Sequence, residues 1–330
     1  MKIVSETEWS SWLSKQTKKH ILQNTAWGQL KNNFNWKPIR CINETQTAGA
    51  QILFRKLPLG LTFAYIPKGP VGNLDSEFWK SVDFICKRQK AMFLKVEPDL
   101  YNEDDKSPFS DDFRFVPGLS IQPRRTIVVS LQGPVNEWLG RMKQKTRYNI
   151  RLAEKKGIEI RKTADIDTFY EVLLSTGNRD NFGIHSKEYY RKVFDCFQPG
   201  GNIALFLAYY KEQPLAGVIV FSSGKRAWYF YGASNEHERN RMPTYLLQFE
   251  AMKWASQQGC NEYDLWGIPD FNEDYLEENF SKLSEGLWGV YRFKRGFGGQ
   301  IKRYMGAFDR VYNPFLYSLY KTYSKMRGSP

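Results

Sequence analysis

Histidine and cysteine are scarce in this chain of 330 residues, which has three of the first and four of the second. Cys41, Cys86, Cys196 and Cys260 lie far apart with no C-x-x-C pair. Neither a disulfide framework nor a structural zinc site is expected, and the thiols read as small buried hydrophobes. No histidine carries a partner motif for a Ser–His–Asp or Cys–His nucleophile set. No run approaches the ~20 apolar residues of a membrane span. Met1-Lys-Ile-Val-Ser-Glu-Thr-Glu-Trp9 lacks the hydrophobic stretch of a signal peptide, so the expectation is a cytoplasmic protein. Low-complexity tracts are absent as well.

Glycine is short in one informative place. Residues 227–234 read as a buried strand, 235–242 as a polar loop, and 243–258 as a helix with proline in its first turn. Gly259 closes that helix, and 262–266 begin another strand. Strand, loop, helix and strand in this order form the core of an N-acetyltransferase-like fold. There, loop glycines let backbone N–H groups close around a coenzyme pyrophosphate at the helix N-terminus. Here the loop holds arginines, an asparagine and a proline. The frame of an acyltransferase is present without the coenzyme A grip.

What is plentiful is apolar and basic. Hydrophobic residues make up 42% and aromatics 16%, enough for two cores in a chain of this length. The net charge of +13 favours a polyanionic partner, whether nucleic acid, nucleotide pyrophosphate or anionic lipid. A fainter copy of the strand–loop–helix–strand unit lies upstream, as strand 61–67, loop 68–75, helix 76–90 and strand 91–97. An offset of roughly 165 positions indicates a duplicated domain. Asp75 or Ser76 can cap its helix, where Phe78, Val82, Ile85 and Cys86 keep helical spacing. The fold class is α/β (α+β): two tandem acetyltransferase-like domains, each a mixed sheet flanked by helices. The first spans 1–132 plus about 298–330, and the second spans 133–297. Gly133-Pro134 opens one long helix over 138–156, stopped by Gly157. Trp138, Met142, Ile150 and Ala153 are its buried stripe; Arg141, Lys143, Lys145, Arg147, Arg151, Lys155 and Lys156 make the rest basic. The acidic loop 102–112, with Pro108, is the expected mobile element.

Four segments together resemble the Fem family of peptidoglycan bridge-forming aminoacyltransferases. Trp27-Gly28-Gln-Leu-Lys31 is similar to that family's W-G-x-x-K motif. Lys145-Thr-Arg147-Tyr-Asn149-Ile150-Arg151 continues to Gly157. Residues 228–268 include Tyr231-Gly232-Ala233-Ser234 and Asp264-Leu-Trp-Gly267. Tyr291-Arg-Phe293-Lys294-Arg-Gly-Phe297 completes the set. The second and fourth are the specific ones, and the order is kept across nearly the whole chain. Longer members insert a helical hairpin into the second domain, and no heptad run is present here to build one, so the chain resembles the compact form.

The resemblance implies transfer of Gly, Ala or Ser from aminoacyl-tRNA to the side-chain amine of a muramyl-pentapeptide precursor, either lipid II or UDP-MurNAc-pentapeptide. No cofactor is implied beyond aminoacyl-tRNA as co-substrate, and no metal. Ester aminolysis by a neutral amine is mostly a matter of positioning, leaving an oxyanion to stabilise. Phe293 and Lys294 are implied as the catalytic pair, with Lys294 at the end of an apolar strand before a glycine-rich turn; the plainer alternative is a strand-end lysine facing solvent. Lys31 is implied to reach a pyrophosphate or uridine, or is a surface lysine. Tyr229 and Tyr231 share a strand and face opposite sides, so at most one lies in the site, and the resemblance favours Tyr231. His185 stands where compact members carry an arginine that contacts phosphate, with Lys187 or Arg179 able to compensate. Tyr189 and Tyr101 are expected as further substrate contacts.

Lys145, Arg147, Arg151 and Lys155 form a candidate track for tRNA phosphates, or a solvated helix face. Residues 314–327, aromatic on one side and cationic on the other, rest on the inner membrane leaflet or dock on the first domain. Asp99, Asp104, Asp105, Asp111 and Asp112 are weaker candidates for a proton acceptor than the substrate itself. Three other readings stay open: an acyl-CoA-dependent N-acyltransferase, a non-catalytic module binding RNA or envelope polymer, and a tRNA–protein transferase of leucyl/phenylalanyl type.

Overall fold

The computed structural model describes residues 1–57, 61–102, 114–180 and 183–326. The chain divides into two compact units, Met1–Arg124 with Arg303–Pro330, and Arg125–Lys302. Strand Arg125–Ser130, assigned ahead of the boundary from the sequence, pairs with Glu262–Asp264 and so belongs to the second sheet. The acidic residues 103–112 lie outside the described residues.

Each unit is built on one mixed sheet. In the first, the strands run in the order Lys2–Ile3, Trp36–Ile42, Ala48–Lys56, Thr62–Pro67, Ala91–Glu97, Ala307–Val311, Val116–Gly118, with Val71–Gly72 pairing to one side. In the second, the order is Gln300–Arg303, Arg125–Ser130, Glu262–Asp264, Arg226–Ser234, Gln213–Ser223, Ile203–Tyr210, Glu159–Thr163. The parallel pair in each joins the strand before a helix to the strand after it: Thr62–Pro67 with Ala91–Glu97, and Arg226–Ser234 with Glu262–Asp264. These are the two copies read from the sequence.

The crossover helices form for reasons visible in their residues. Asp75 Oδ1 accepts from Phe78 N–H at 2.7 Å and caps Ser76–Arg88. Phe78, Trp79, Val82, Ile85 and Cys86 are the buried face of that helix. Helix Pro243–Gln257 uses proline where an N–H would be unsatisfied and buries Leu246, Leu247, Phe249, Met252 and Trp254. The basic segment is not one helix but two, Val135–Arg141 and Gln144–Lys155. Met142 and Lys143 between them are extended, with ψ of 152° and 146°. The break lets Met142 stay in the core and turns Lys143 N–H onto the Gly296 carbonyl at 2.9 Å. Cys41, Cys86 and Cys260 are buried.

Candidate active site

The second sheet opens where the first stays closed. Its parallel ladder lasts for Arg226↔Glu262, Ala227↔Tyr263 and Trp228↔Asp264. Past Asp264 the chain follows strand Arg125–Ser130 instead: Leu265 N–H donates to Ile127 O at 2.9 Å, and Ile268 N–H to Arg125 O at 3.0 Å. Strand Arg226–Ser234 keeps to its antiparallel neighbour, so the two part beyond Trp228. In the first unit the parallel pairing runs to Pro67↔Glu97, and Gly69 N–H adds a bond to Glu97 O at 3.2 Å. The buried Glu97 carboxylate there accepts from Tyr65 and from Ile121 and Gln122 N–H, which seals that strand end.

Lys294 fills the open wedge. It is not on a strand but in the last turn of helix Trp288–Lys294, followed by the tight turn Arg295–Phe297. The reason is periodicity: Trp288, Tyr291 and Lys294, three apart, are the buried positions, so the apolar segment has a helical period. Gly298 ends the turn at φ +77°, and a Cβ there would lie 2.3 Å from Arg141 O. The Lys294 side chain is 5% exposed. Its Nζ donates to Trp266 O at 3.0 Å and Gly267 O at 2.9 Å, and lies 5.4 Å from the centre of the Tyr229 ring. Burial lowers its pKa to about 7, opposed by the nearby Asp264 carboxylate. Phe293, the other implied member of the pair, packs between Tyr245 and Phe297 with ring centres 5.0 Å from each. It anchors the helix that carries the lysine.

Residues two apart on a regular strand share a face. Tyr229 and Tyr231 do not, because a bulge intervenes: Val220 faces Tyr229 and Ile219 faces Tyr231, which leaves Phe230 as the extra residue. Tyr229 therefore turns to Lys294 and the core that packs under helix Pro243–Gln257. Tyr231 turns to helix Lys187–Phe197, where its hydroxyl lies 3.1 Å from that of Tyr189 and its ring meets Tyr190 edge-on. His185 stacks on Tyr189 at 3.9 Å and is exposed. Burial pushes the Tyr189 and Tyr229 hydroxyls up to about 12, so both stay protonated. The structure thus gathers Tyr231, Tyr189 and His185 on one face of the sheet, and Tyr229 with Lys294 on the other. Lys187 is held by Asp167 at 2.9 Å, while the Arg179 side chain lies outside the described residues.

Lys31 and Tyr101 belong to the first unit. Lys31 projects from helix Thr25–Asn32 over the Trp27 ring at 4.6 Å, and burial, with Arg55 nearby, lowers its pKa to about 8. Tyr101 bridges to Tyr304, ring on ring at 4.8 Å. Of the basic residues, Lys145, Arg151 and Lys155 are exposed along helix Gln144–Lys155. Arg147 is not available with them. Its Nη1 donates to the Met142, Gly140 and Leu139 carbonyls, closing the preceding helix.

The loop before helix Pro243–Gln257 makes no phosphate cradle. Glu238 and Met242 sit at φ +49° and +57°, Arg241 bonds Glu238 and Lys156 O, and Arg239 pairs with Glu236 at 3.6 Å. The loop's arginines are matched by its own carboxylates. What sequence reasoning left without a role is Asp264, fully buried at the end of its strand, together with Thr126, whose hydroxyl donates to it. The signal was a carboxylate inside the apolar run Tyr263-Asp-Leu-Trp266.

Two mixed sheets of this topology, one of them opened at its parallel pair, define a tandem acetyltransferase-like fold. Two solved structures share it across the chain. FemX, 22% identical, superposes with a TM-score of 0.85 over 97% of this chain and 99% of its own. A tandem GNAT protein from the clavulanic acid biosynthesis pathway, 9% identical, gives 0.54 over 93% of this chain and 94% of its own. The FemAB family model matches residues 4–110, 117–213 and 207–325, and the chain belongs to that family. Among its relatives are the lipid II:glycine glycyltransferases of Staphylococcus saprophyticus, 25% identical, and Staphylococcus aureus strain USA300, 26% identical. Each alignment covers 91% of this chain and 90% of the relative. The former alignment runs over 381 positions, although 91% of this chain is only about 300 residues, so the relative carries segments missing here. Among the described residues no helix exceeds 15 residues, which fits the compact form.

Proposed function

We propose that the protein is an aminoacyltransferase that forms the interpeptide bridge of peptidoglycan, moving Gly, Ala or Ser from aminoacyl-tRNA to the side-chain amine of a lipid II pentapeptide or its UDP-linked precursor. The observation that carries this is the buried Lys294, fixed by two carbonyls in the opening of the second sheet. Lipid II as acceptor is supported by the names of the relatives, and tRNA as donor by the exposed cations Lys145, Arg151 and Lys155.

In this reading the acceptor amine attacks the ester carbonyl, forming a C–N bond and a tetrahedral oxyanion. Two Nζ protons of Lys294 serve the Trp266 and Gly267 carbonyls, and the third is the donor for that oxyanion. Collapse breaks the C–O bond, and the amine proton passes to the departing ribose oxygen. The carboxylates at 104–112 are not needed for this route. Phe315 and Leu319, 72% and 54% exposed on helix Pro314–Met326, offer the membrane contact that a lipid-linked acceptor requires.

The test is incubation with a mixture of charged tRNAs and either lipid II or UDP-MurNAc-pentapeptide, read by mass. A glycyl, alanyl or seryl increment is expected. Acetylation from acetyl-CoA with no such increment would overturn the reading in favour of a coenzyme A enzyme.

A further inference from the structure

Lys294 is held by main-chain carbonyls, and those carbonyls are held in turn by a carboxylate. Trp266 sits at φ +60°, a left-handed conformation that is strained for a non-glycine residue. Two contacts maintain it. The Trp266 N–H donates to Asp264 Oδ1 at 2.8 Å, and the Trp266 ring packs on Phe230 with centres 4.4 Å apart. The left-handed turn aims the Trp266 and Gly267 carbonyls together at Nζ. With Trp266 in an ordinary extended conformation the strand would run on, and successive carbonyls would point to opposite sides.

Asp264 itself is 0% exposed and accepts from Thr126 Oγ1 as well as from Trp266. Both donors favour the charged form of the carboxylate against the cost of its burial. The titratable groups facing Lys294 are this carboxylate and the Tyr229 phenol. Asp264 is thus the negative charge set against the lysine.

We propose that Asp264 is a positioning residue of this site: its carboxylate locks the Trp266 turn whose carbonyls fix Lys294, and it sets a negative charge against that amine. The inference rests on the reading of Lys294 given above. It explains why an acidic residue ends an otherwise apolar strand, and why a tryptophan holds a conformation that favours glycine.

The test is Asp264→Asn, which keeps the shape and can still accept from Trp266 N–H while carrying no charge. In protein isotope-labelled at lysine Cε, NMR follows the Lys294 titration, its signal identified by its loss in Lys294→Met. The expected result is a proton affinity of Lys294 lowered tenfold or more, with the falling limb of transfer rate against pH moved to lower pH by the same amount. A merely structural role for Asp264 would move neither. An unmoved titration in folded Asp264→Asn protein would overturn the proposal. A titration that moves while the rate profile stays put leaves Asp264's hold on Lys294 standing and overturns the reading of Lys294 as the oxyanion's partner. If Asp264→Asn does not fold, the pair Asp264→Asn/Trp266→Gly carries the same measurement, since glycine adopts φ near +60° unaided.

Discussion

A lysine buried among carbonyls, an aromatic face and a carboxylate carries its charge at a cost. Burial has brought its pKa from 10.5 to about 7. Between these values the unfolded chain binds more protons at this position than the folded one, so stability rises with pH there and is flat below about 7. Lys294→Met removes that slope, and urea denaturation at pH 7 and pH 9 checks it. The same group predicts the rate. Lys294→Ala loses a single oxyanion donor, worth about 3–4 kcal/mol, so transfer falls on the order of 100- to 1,000-fold. Because the variant leaves the buried Asp264 carboxylate without its counter-charge and the Trp266 and Gly267 carbonyls without this donor, the melting temperature is expected to fall as well, so the rates are compared at a temperature where both proteins are folded. Wild-type transfer is expected to decline as pH passes above about 7, where the ammonium is lost; a rate indifferent to that change would remove Lys294 from the chemistry.

At the scale of elements, the bulge at Phe230 and the break at Met142–Lys143 do most to shape the site. The Tyr229 hydroxyl lies over Gly232, where an added Cβ would come 1.9 Å from it. Gly232→Ala is expected to displace the Tyr229 ring from Lys294 and cut transfer at least tenfold, with a thermal midpoint within a few degrees of wild type. An unchanged rate would show that Tyr229 is only packing. Across the break, Arg147 and Arg151 look alike in sequence but differ in work. Arg147→Ala strips three carbonyls of a charged donor and is expected to cost about 1–3 kcal/mol of stability, leaving the salt dependence of RNA binding as it was. Arg151→Ala with Lys155→Ala should do the reverse, lowering the salt slope by about 2 with little loss of stability. Titration of tRNA at several salt concentrations, beside melting curves, separates them.

These elements also mark the limit of what the residues announce. The duplicated strand–helix–strand core was legible because apolar periods, Asp75, Pro243 and Gly259 all act locally. The break at Met142 was not, since its cause is the carbonyl of Gly296, more than 150 positions on. Nor was the helix bearing Lys294, where Trp288 to Phe297 is too short and apolar for its period to stand out. The sequence shows Asp264 inside a motif but not its role, because its partners come from a strand, a turn and a helix.

At the scale of the whole molecule, contact with a membrane would fall to side chains on its surface. Among the described residues no helix is long and apolar enough to cross one. Helix Pro314–Met326 buries Tyr317 on the first sheet, where the phenol donates to Asp309 at 2.8 Å and the ring meets Phe93. Docking on the sheet and facing outward are therefore both true of this helix, on different sides. Phe315→Glu with Leu319→Glu is expected to weaken co-sedimentation with vesicles containing phosphatidylglycerol at least fivefold, while transfer to the soluble UDP-linked acceptor is retained. Equal sedimentation of variant and wild type would leave the membrane contact without support.

The first sheet has one further property. Strand Ala307–Val311, next to Ala91–Glu97, comes from the far end of the chain, and Asp309 on it is the buried counter-ion of Lys95 at 2.7 Å. Until those last residues leave the ribosome, a finished second unit trails a first unit whose central lysine has no anion to meet. The amino-terminal half is therefore completed only when residues 307–311 are free to pair, and a chain truncated after Lys302 should show protease resistance in the later half only.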